Sequence, residues 1–323
     1  MTRTEFAVLG AGAMGSIIGA HLARAGHDVI MLARGQRAAQ VRASGLALKG
    51  LAEFTQPVTV LEDPTQLLAA DVLIMTTKTH GTEAALAPLA GAKVGVALSV
   101  QNGISKDEAL ERVFGRDHVL GALANTSGEL LADGTVLFTR NQNIAIGEFD
   151  GSLSERVQRV VAALDAAGVR SSAVTDILSL EWAKFAAWVG LMALSVTTRE
   201  VSWKYLCDPG TALVLARLVR EIGALAAACG VAASDRSMLP VATICHGSEQ
   251  EAVATVQRVG DDLRANAPEH RMSTLQDLNA GRTLEVEETL GYAVTRARQL
   301  GLSLPLLESF YPLAAGIDRL RRL

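Results

Sequence analysis

The first 34 residues, read as one unit, constrain this chain more than any other stretch. Thr4-Glu5-Phe6-Ala7-Val8-Leu9 has the composition of a short buried strand and runs directly into Gly10-Ala11-Gly12-Ala13-Met14-Gly15. An apolar-periodic helix follows to Arg24, Gly26-His27 breaks it, and Val29-Ile30-Met31-Leu32 reads as a second buried strand ending at Arg34. Strand, G-x-G-x-x-G turn, helix and strand in that order make the opening of a dinucleotide-binding βαβ unit. Gly10 permits the tight turn, Gly12 lets the backbone approach a pyrophosphate, and Gly15 lets helix and strand pack closely. The helix N-terminus, at Ala13 and Met14, offers free N–H groups and a positive dipole end to the phosphates.

The end of the second strand selects the cofactor. An NAD- or FAD-binding unit carries Asp or Glu about 20 residues past the glycines, on the ribose hydroxyls. Here Arg34 occupies that place, Arg37 follows, and no carboxylate lies between Val29 and Arg42. Asp28 comes too early. A guanidinium pairs bidentately with a 2′-phosphate and leaves an unphosphorylated ribose with fewer partners. The expectation is NADPH over NADH; for Arg37 a solvated surface position is the other reading.

Beyond Arg34 a helix is expected over Gln36–Ala43, with short extended pieces at Leu46–Leu48 and Val58–Val60. Asp71–Thr76 and Val94–Val100 read as buried parallel strands, with helices at Thr82–Leu89 and Lys106–Phe114. Strands near Val119–Ala124, Gly134–Arg140 and Asn143–Gly147 follow, then a helix over Ser152–Ala167 and a short strand over Val169–Val174. That alternation predicts a doubly wound α/β sheet. Beyond about Thr175 the period changes to 3.6 and helices take over: Ile177–Ser195, Thr211–Cys229, Met238 onward, Ser248–Asn266, Thr283–Leu300 and Pro305–Arg321. The expected organisation is an α/β domain over 1–175 and an all-helical domain over 176–323, with a cofactor-dependent site in a cleft between them.

Composition narrows the partners. Thirty basic against 34 acidic residues, with no basic stripe, make nucleic acid and anionic membrane poor candidates. The most apolar stretch, Leu180 to Val196, is interrupted by Glu181 and Lys184 and reads as too polar to span a bilayer. Cys207, Cys229 and Cys245 are widely spaced, with no C-x-x-C and no His/Cys cluster to ligate a metal. Free thiols and a chain that begins directly in its first strand fit a cytoplasmic protein.

The helix Leu178–Ser195 holds the second informative residue. Lys184 is the only basic residue between Arg170 and Arg199, set amid Trp182, Phe185, Trp188, Val189, Leu191 and Met192. A low dielectric disfavours the ammonium form and brings such a lysine towards acid chemistry near neutrality. A Lys184–Glu181 pair on the exposed edge of an amphipathic helix is the other reading.

The glycine turn with Arg34, Lys78 in Thr76-Thr77-Lys78, Gln101-Asn102-Gly103 and Glu181-Trp182-x-Lys184 together resemble the ketopantoate reductase family. So do Ser273-Thr274-Leu275-Gln276-Asp277, Glu285-Val286-Glu287 and Gly291, in order and over nearly the whole chain. The resemblance implies an NADPH-dependent reductase of 2-oxo acids, with a Rossmann domain followed by an all-helical one. It implies that Lys184 is the general acid and that Asn102 orients the nicotinamide ribose and the reacting carbonyl. Ser273 would bind the substrate carboxylate, Glu285 would organise the cofactor–lysine end of the site, and Lys78 would lie beside the dinucleotide. A homodimer through the helical domain is the assembly expected.

The chain also departs from the family, which typically carries asparagines four and eight residues after the lysine. Those places hold Trp188 and Met192, and the proline that often follows is Ala193. Losing two amides from a site built for a hydroxylated substrate costs large factors in discrimination. The expected substrate is therefore smaller than ketopantoate or has an apolar or aromatic end, with Trp188 and Met192 against it; core packing is the other reading of both residues. Opine-type reductive amination and a catalytically silent NADPH-binding regulator are the alternative functions.

Overall fold

The computed structural model describes residues 4–322. The chain divides into two compact units, one ending at Ile177 and one beginning at Leu178.

The first unit is a mixed sheet with helices. Its strands are β1 (Glu5–Leu9), β2 (Asp28–Leu32), β3 (Leu46–Gly50), β4 (Phe54–Gln56), β5 (Thr59–Leu61), β6 (Ala69–Met75), β7 (Lys93–Ser99), β8 (Val119–Leu130), β9 (Val136–Gly147) and β10 (Ser171–Ala173). Its helices are α1 (Ala13–Arg24), α2 (Gly35–Ser44), α3 (Thr82–Leu86), α4 (Ser105–Phe114) and α5 (Glu155–Ala166). The strand order is β4-β3-β9-β8-β7-β6-β1-β2-β5, with β10 parallel to β9. From β5 to β8 the pairing is parallel, as the alternation of strands and helices requires. β1 lies between β2 and β6, where the winding reverses. Ligands of such sheets bind beyond the carboxyl ends of the strands at that reversal.

Past β8 the sheet departs from the expected pattern. The pieces at 134–140 and 143–147 are one strand, β9, antiparallel to an equally long β8, with register shifts at Ala124/Thr126 and Ser127/Gly128. β3 adds parallel to β9, and β4 antiparallel to β3. α1 packs against β1 and β2, against β3, β4, β8 and β9, and against α5. Eight consecutive residues of α1, Gly15 to Leu22, are therefore buried, which explains a helix apolar on nearly every face.

One of those residues is His21. Its Nδ1 lies 2.8 Å from the Ala167 carbonyl oxygen and must donate to it. Nε2 is buried with no partner among the described residues, and the ring meets Phe54 and Phe138 edge-on. Protonation would bury an N–H without an acceptor, so desolvation holds the imidazole pKa below its usual 6.5. The unfolded chain then takes up a proton first. Stability is fully present above pH 6.5 and falls as the pH drops through the depressed folded value. Melting temperature should decline on acidification from pH 7 to 5, and His21→Leu should flatten that decline; an identical slope in the variant contradicts the assignment.

The second unit is helical: α6 (Ile177–Thr198), which begins in the last residue of the first unit, α7 (Ser202–Cys207), α8 (Pro209–Ala228), α9 (Val241–His246), α10 (Glu249–Asn266), α11 (Ser273–Asn279), α12 (Tyr292–Gln299) and α13 (Pro305–Leu320). The ends follow local chemistry. Asp208 caps α8 ahead of Pro209, and Ser248 with Glu251 forms a reciprocal capping box on α10. Glu221 of α8 accepts from the backbone N–H groups of Leu306 and Leu307 (2.9 and 2.8 Å), fixing the start of α13. The helix expected over 283–300 is shorter: residues 282–285 are not helical, Glu287–Gly291 is a π turn, and only then does α12 begin. By length and composition α6 could cross a bilayer, so Glu181 and Lys184 do not make it too polar. What marks it as a core helix is that 83% of its apolar window is buried in the protein.

Candidate active site

In the first unit the singled-out residues gather at one edge of the sheet. Gly10 follows β1, Arg34 follows β2, Lys78 follows β6, and Asn102 follows β7. The glycine turn is pinned from both sides: the Gly10 amide donates to the Leu32 carbonyl at 2.9 Å, and the Thr76 amide to the Leu9 carbonyl at 2.9 Å. The Thr76 hydroxyl adds a bond to the Gly10 carbonyl at 2.8 Å. Gly10 has φ +107°, and a Cβ on Gly15 would sit 1.9 Å from the Gly10 carbonyl oxygen, so neither position admits a side chain. A Cβ on Gly12, by contrast, would meet nothing within 4 Å. The turn is thus open where a pyrophosphate would approach. Gly12 caps α1 without a side-chain bond, and the first turn of α1 carries no acidic residue. Ala13 and Met14 lie in that first turn, whose N–H groups have no intrahelical acceptor. A dinucleotide fits the residues present.

Arg34 is exposed, has extended backbone ahead of α2, and makes no hydrogen bond or ion pair among the described residues. Arg37 is not the solvated arginine its sequence position suggests; its guanidinium is bound to Ala11, Ser16, Gln40 and Gly134. Lys78 is exposed at the start of a short 3₁₀ turn over Thr79–Gly81. The Gln101 amide bridges two elements, donating to the Thr77 and Thr82 hydroxyls at 3.1 and 3.0 Å while its oxygen accepts from Ser99. That bridge fixes the backbone on which half-buried Asn102 sits, its own amide without a partner among the described residues.

Lys106 and Asp107, in the first turn of α4, form a buried ion pair at 3.0 Å. The helix reads as amphipathic, so nothing in its pattern distinguishes a buried lysine from a solvated one.

In the second unit Lys184 lies half-buried on α6, one turn after the buried Glu181. Phe185 meets Tyr292 edge-on at 6.4 Å, and the Met192 sulfur lies 3.2 Å from the Thr289 hydroxyl oxygen. α6 therefore packs on the π turn and α12. Glu285, 7% exposed, lies just before that segment. The Leu284 amide beside it is held by the buried Asp318 carboxylate at 3.2 Å, and the Thr289 hydroxyl donates to the Glu285 carbonyl. π turns within helices are frequent at functional positions. Met192 has no exposed surface and Trp188 is 6% exposed, so both contribute to packing.

Ser273 is exposed and is the first residue of α11. The segment before it is latched to α7: the Ser202 amide donates to the His270 carbonyl at 2.9 Å, and His270 Nδ1 shares a hydrogen bond with the Ser202 hydroxyl at 2.9 Å. The Tyr205 hydroxyl also donates to Ser202, and burial pushes its pKa up to about 12, keeping it a donor. α7 and α11, of six and seven residues, are too short for periodicity to reveal. A concavity of about 550 Å³, lined by Glu5, Asp71, Lys93 and His118 among others, is at the opposite, amino-terminal edge of the sheet.

A Rossmann-like α/β unit followed by an all-helical unit is the architecture of ketopantoate reductase-type oxidoreductases. The chain belongs to the ketopantoate reductase family, whose reaction is reduction of a 2-oxo acid. The family model "Ketopantoate reductase PanE/ApbA" matches residues 6–151, and its C-terminal counterpart matches residues 176–318. The 2-dehydropantoate 2-reductase of Archaeoglobus fulgidus is 29% identical over 311 residues, covering 96% of this chain and 97% of that protein. The crystal structure of a PanE/ApbA family ketopantoate reductase from Ralstonia eutropha superposes with a TM-score of 0.83 at 25% identity, covering 98% of this chain and 99% of that one. The fold is shared by a D-mandelate dehydrogenase solved with NADH and anilino(oxo)acetate, with a TM-score of 0.82 at 16% identity and coverage of 98% and 99%.

Proposed function

We propose that this protein is an NADPH-dependent reductase that converts a 2-oxo acid carrying an apolar or aromatic end into the 2-hydroxy acid. The observation that carries the reading is the set of residues at the carboxyl edge of the sheet, in a chain of the ketopantoate reductase family: the open glycine turn, exposed Arg34, and Asn102 with its amide free.

When bound, the nicotinamide supplies a hydride to the keto carbon. The chain's residues do the rest. The first turn of α1, at Ala13 and Met14, and Gly12 take the pyrophosphate, Arg34 takes the 2′-phosphate, and Lys78 lies beside the dinucleotide. The Lys184 ammonium donates its proton to the keto oxygen as negative charge develops there. Asn102, able to donate and accept at once, orients the ribose and the carbonyl. Ser273 donates to the substrate carboxylate, and Glu285 accepts from the ammonium or the ribose. Trp188 walls the substrate's far end, with Met192 packed behind it.

Replacement of two amides by Trp188 and Met192 removes partners for a hydroxylated chain. Across a panel of 2-oxo acids graded by size and polarity, kcat/KM with NADPH should be at least about tenfold higher for apolar or aromatic members than for ketopantoate. Ketopantoate as the best substrate overturns the specificity reading and leaves the reaction class standing.

A further inference from the structure

Arg37 is the most heavily bonded side chain beside the glycine turn, and the cofactor reading gives it no task. Nε donates to the Ala11 carbonyl at 2.8 Å, inside the turn itself. Nη1 donates to the Gly134 carbonyl at 2.8 Å and to Gln40 Oε1 at 2.9 Å, and Nη2 to the Ser16 hydroxyl at 2.9 Å. Ser16 is fully buried in α1 and donates back to the Ala11 carbonyl at 3.2 Å. Gln40 grips the same hairpin tip, its Nε2 donating to the Asp133 carbonyl at 2.6 Å. At Gly134, with φ +84°, a Cβ would fall 1.8 Å from the Gln40 side-chain nitrogen, so this close approach of α2 to the β8–β9 hairpin needs glycine. One guanidinium thus ties the phosphate turn, the first turns of α1, α2 and the hairpin tip into one cluster. Four of its five N–H groups are spent on the protein, leaving no edge for a two-pronged grip on a phosphate.

We infer that Arg37 is a positioning residue for the dinucleotide. It fixes the Ala11 carbonyl and the start of α1, so that the amides of the turn meet a pyrophosphate without first being ordered, and it leaves the 2′-phosphate to Arg34. The inference rests on the proposed dinucleotide reading. A turn held in its bound form costs less to occupy, so loosening it weakens every ligand that uses the pyrophosphate, with or without a 2′-phosphate.

The test is fluorescence titration of NADPH and NADH with wild type, Arg37→Met, Arg37→Lys and Arg34→Ala, each well below its melting temperature. Arg37→Met should weaken both dinucleotides by the same factor, about tenfold, leaving their affinity ratio at the wild-type value. Arg37→Lys, which keeps the charge and reaches fewer of the acceptors, should fall between. Arg34→Ala should change the ratio. Selective loss of NADPH in Arg37→Met makes Arg37 a phosphate ligand and overturns the inference, as do unchanged affinities for both. Should Arg37→Met fail to fold, Ser16→Ala removes one strut at little steric cost. It should weaken both dinucleotides in parallel by about threefold, and unchanged affinities there overturn the inference equally. Wild-type protein that binds neither dinucleotide overturns the cofactor reading, and this one with it.

Discussion

Replacing Lys184 with alanine should lower kcat by about 10²–10⁴ with any good 2-oxo acid while leaving NADPH affinity within about twofold. Reduction of a carbonyl builds an alkoxide, and an ammonium beside that oxygen both stabilises the charge and delivers the proton. Lys184 suits the task because its stem rises from a helix whose neighbours Ala183, Phe185 and Trp188 are buried, while the lysine itself keeps some exposure. Its loss removes an interaction made mainly as charge develops, so kcat and kcat/KM should fall together. Lys184→Arg keeps a charge but holds its proton more tightly and presents a planar fork, and should recover little. Steady-state kinetics with a saturating cofactor, beside a direct cofactor titration, separates the two effects. A KM increase at unchanged kcat would make Lys184 a binding residue.

The second large effect is at Arg34. Arg34→Ala should weaken NADPH about 10–100-fold and NADH by less than about twofold. The charge-assisted pair with a 2′-phosphate carries that difference, and the guanidinium is available for it because α2 starts just behind and no carboxylate competes. Both affinities falling together would instead mean that Arg34 acts on the turn, and equal use of NADH and NADPH by the wild type would remove the preference altogether. High salt should erode the preference, since an exposed arginine is screened.

Much of the fold and of the nucleotide end of the site is legible in the sequence, for identifiable reasons. The β1–turn–α1–β2 opening is local: spacing, glycines and strand composition specify it within 34 residues, and the fold follows the expectation there. The parallel strands β6 and β7 are equally legible as apolar runs. The long β8–β9 hairpin is not, because polar residues such as Asn125 and Asn141 interrupt its alternation and its pairing with β3 is non-local. Arg37 illustrates the same limit at the site. Two of its four acceptors are backbone carbonyls, one of them 97 residues away in sequence, and carbonyls leave no trace in a sequence. The π turn after Glu285 reads as ordinary helix because one inserted residue barely alters the apolar period. Met192 and Trp188 are visible as departures from a family pattern, but their burial, with Met192 beside Thr289, is a packing fact. Lys106 with Asp107 is invisible for a related reason, since burial of a charged pair depends on what covers it.

The most direct test of the central claim is isotopic. NADPH deuterated at the transferred nicotinamide C4 position is incubated with wild-type protein and an apolar 2-oxo acid, with no amine present. The product is then examined by mass spectrometry and proton NMR. A 2-hydroxy acid carrying one deuterium at C2, formed at a rate that collapses in Lys184→Ala, is the predicted result. Cofactor oxidation that requires an added amine and yields a secondary amino acid would contradict it, as would binding of NADPH with no transfer of label to any oxo acid.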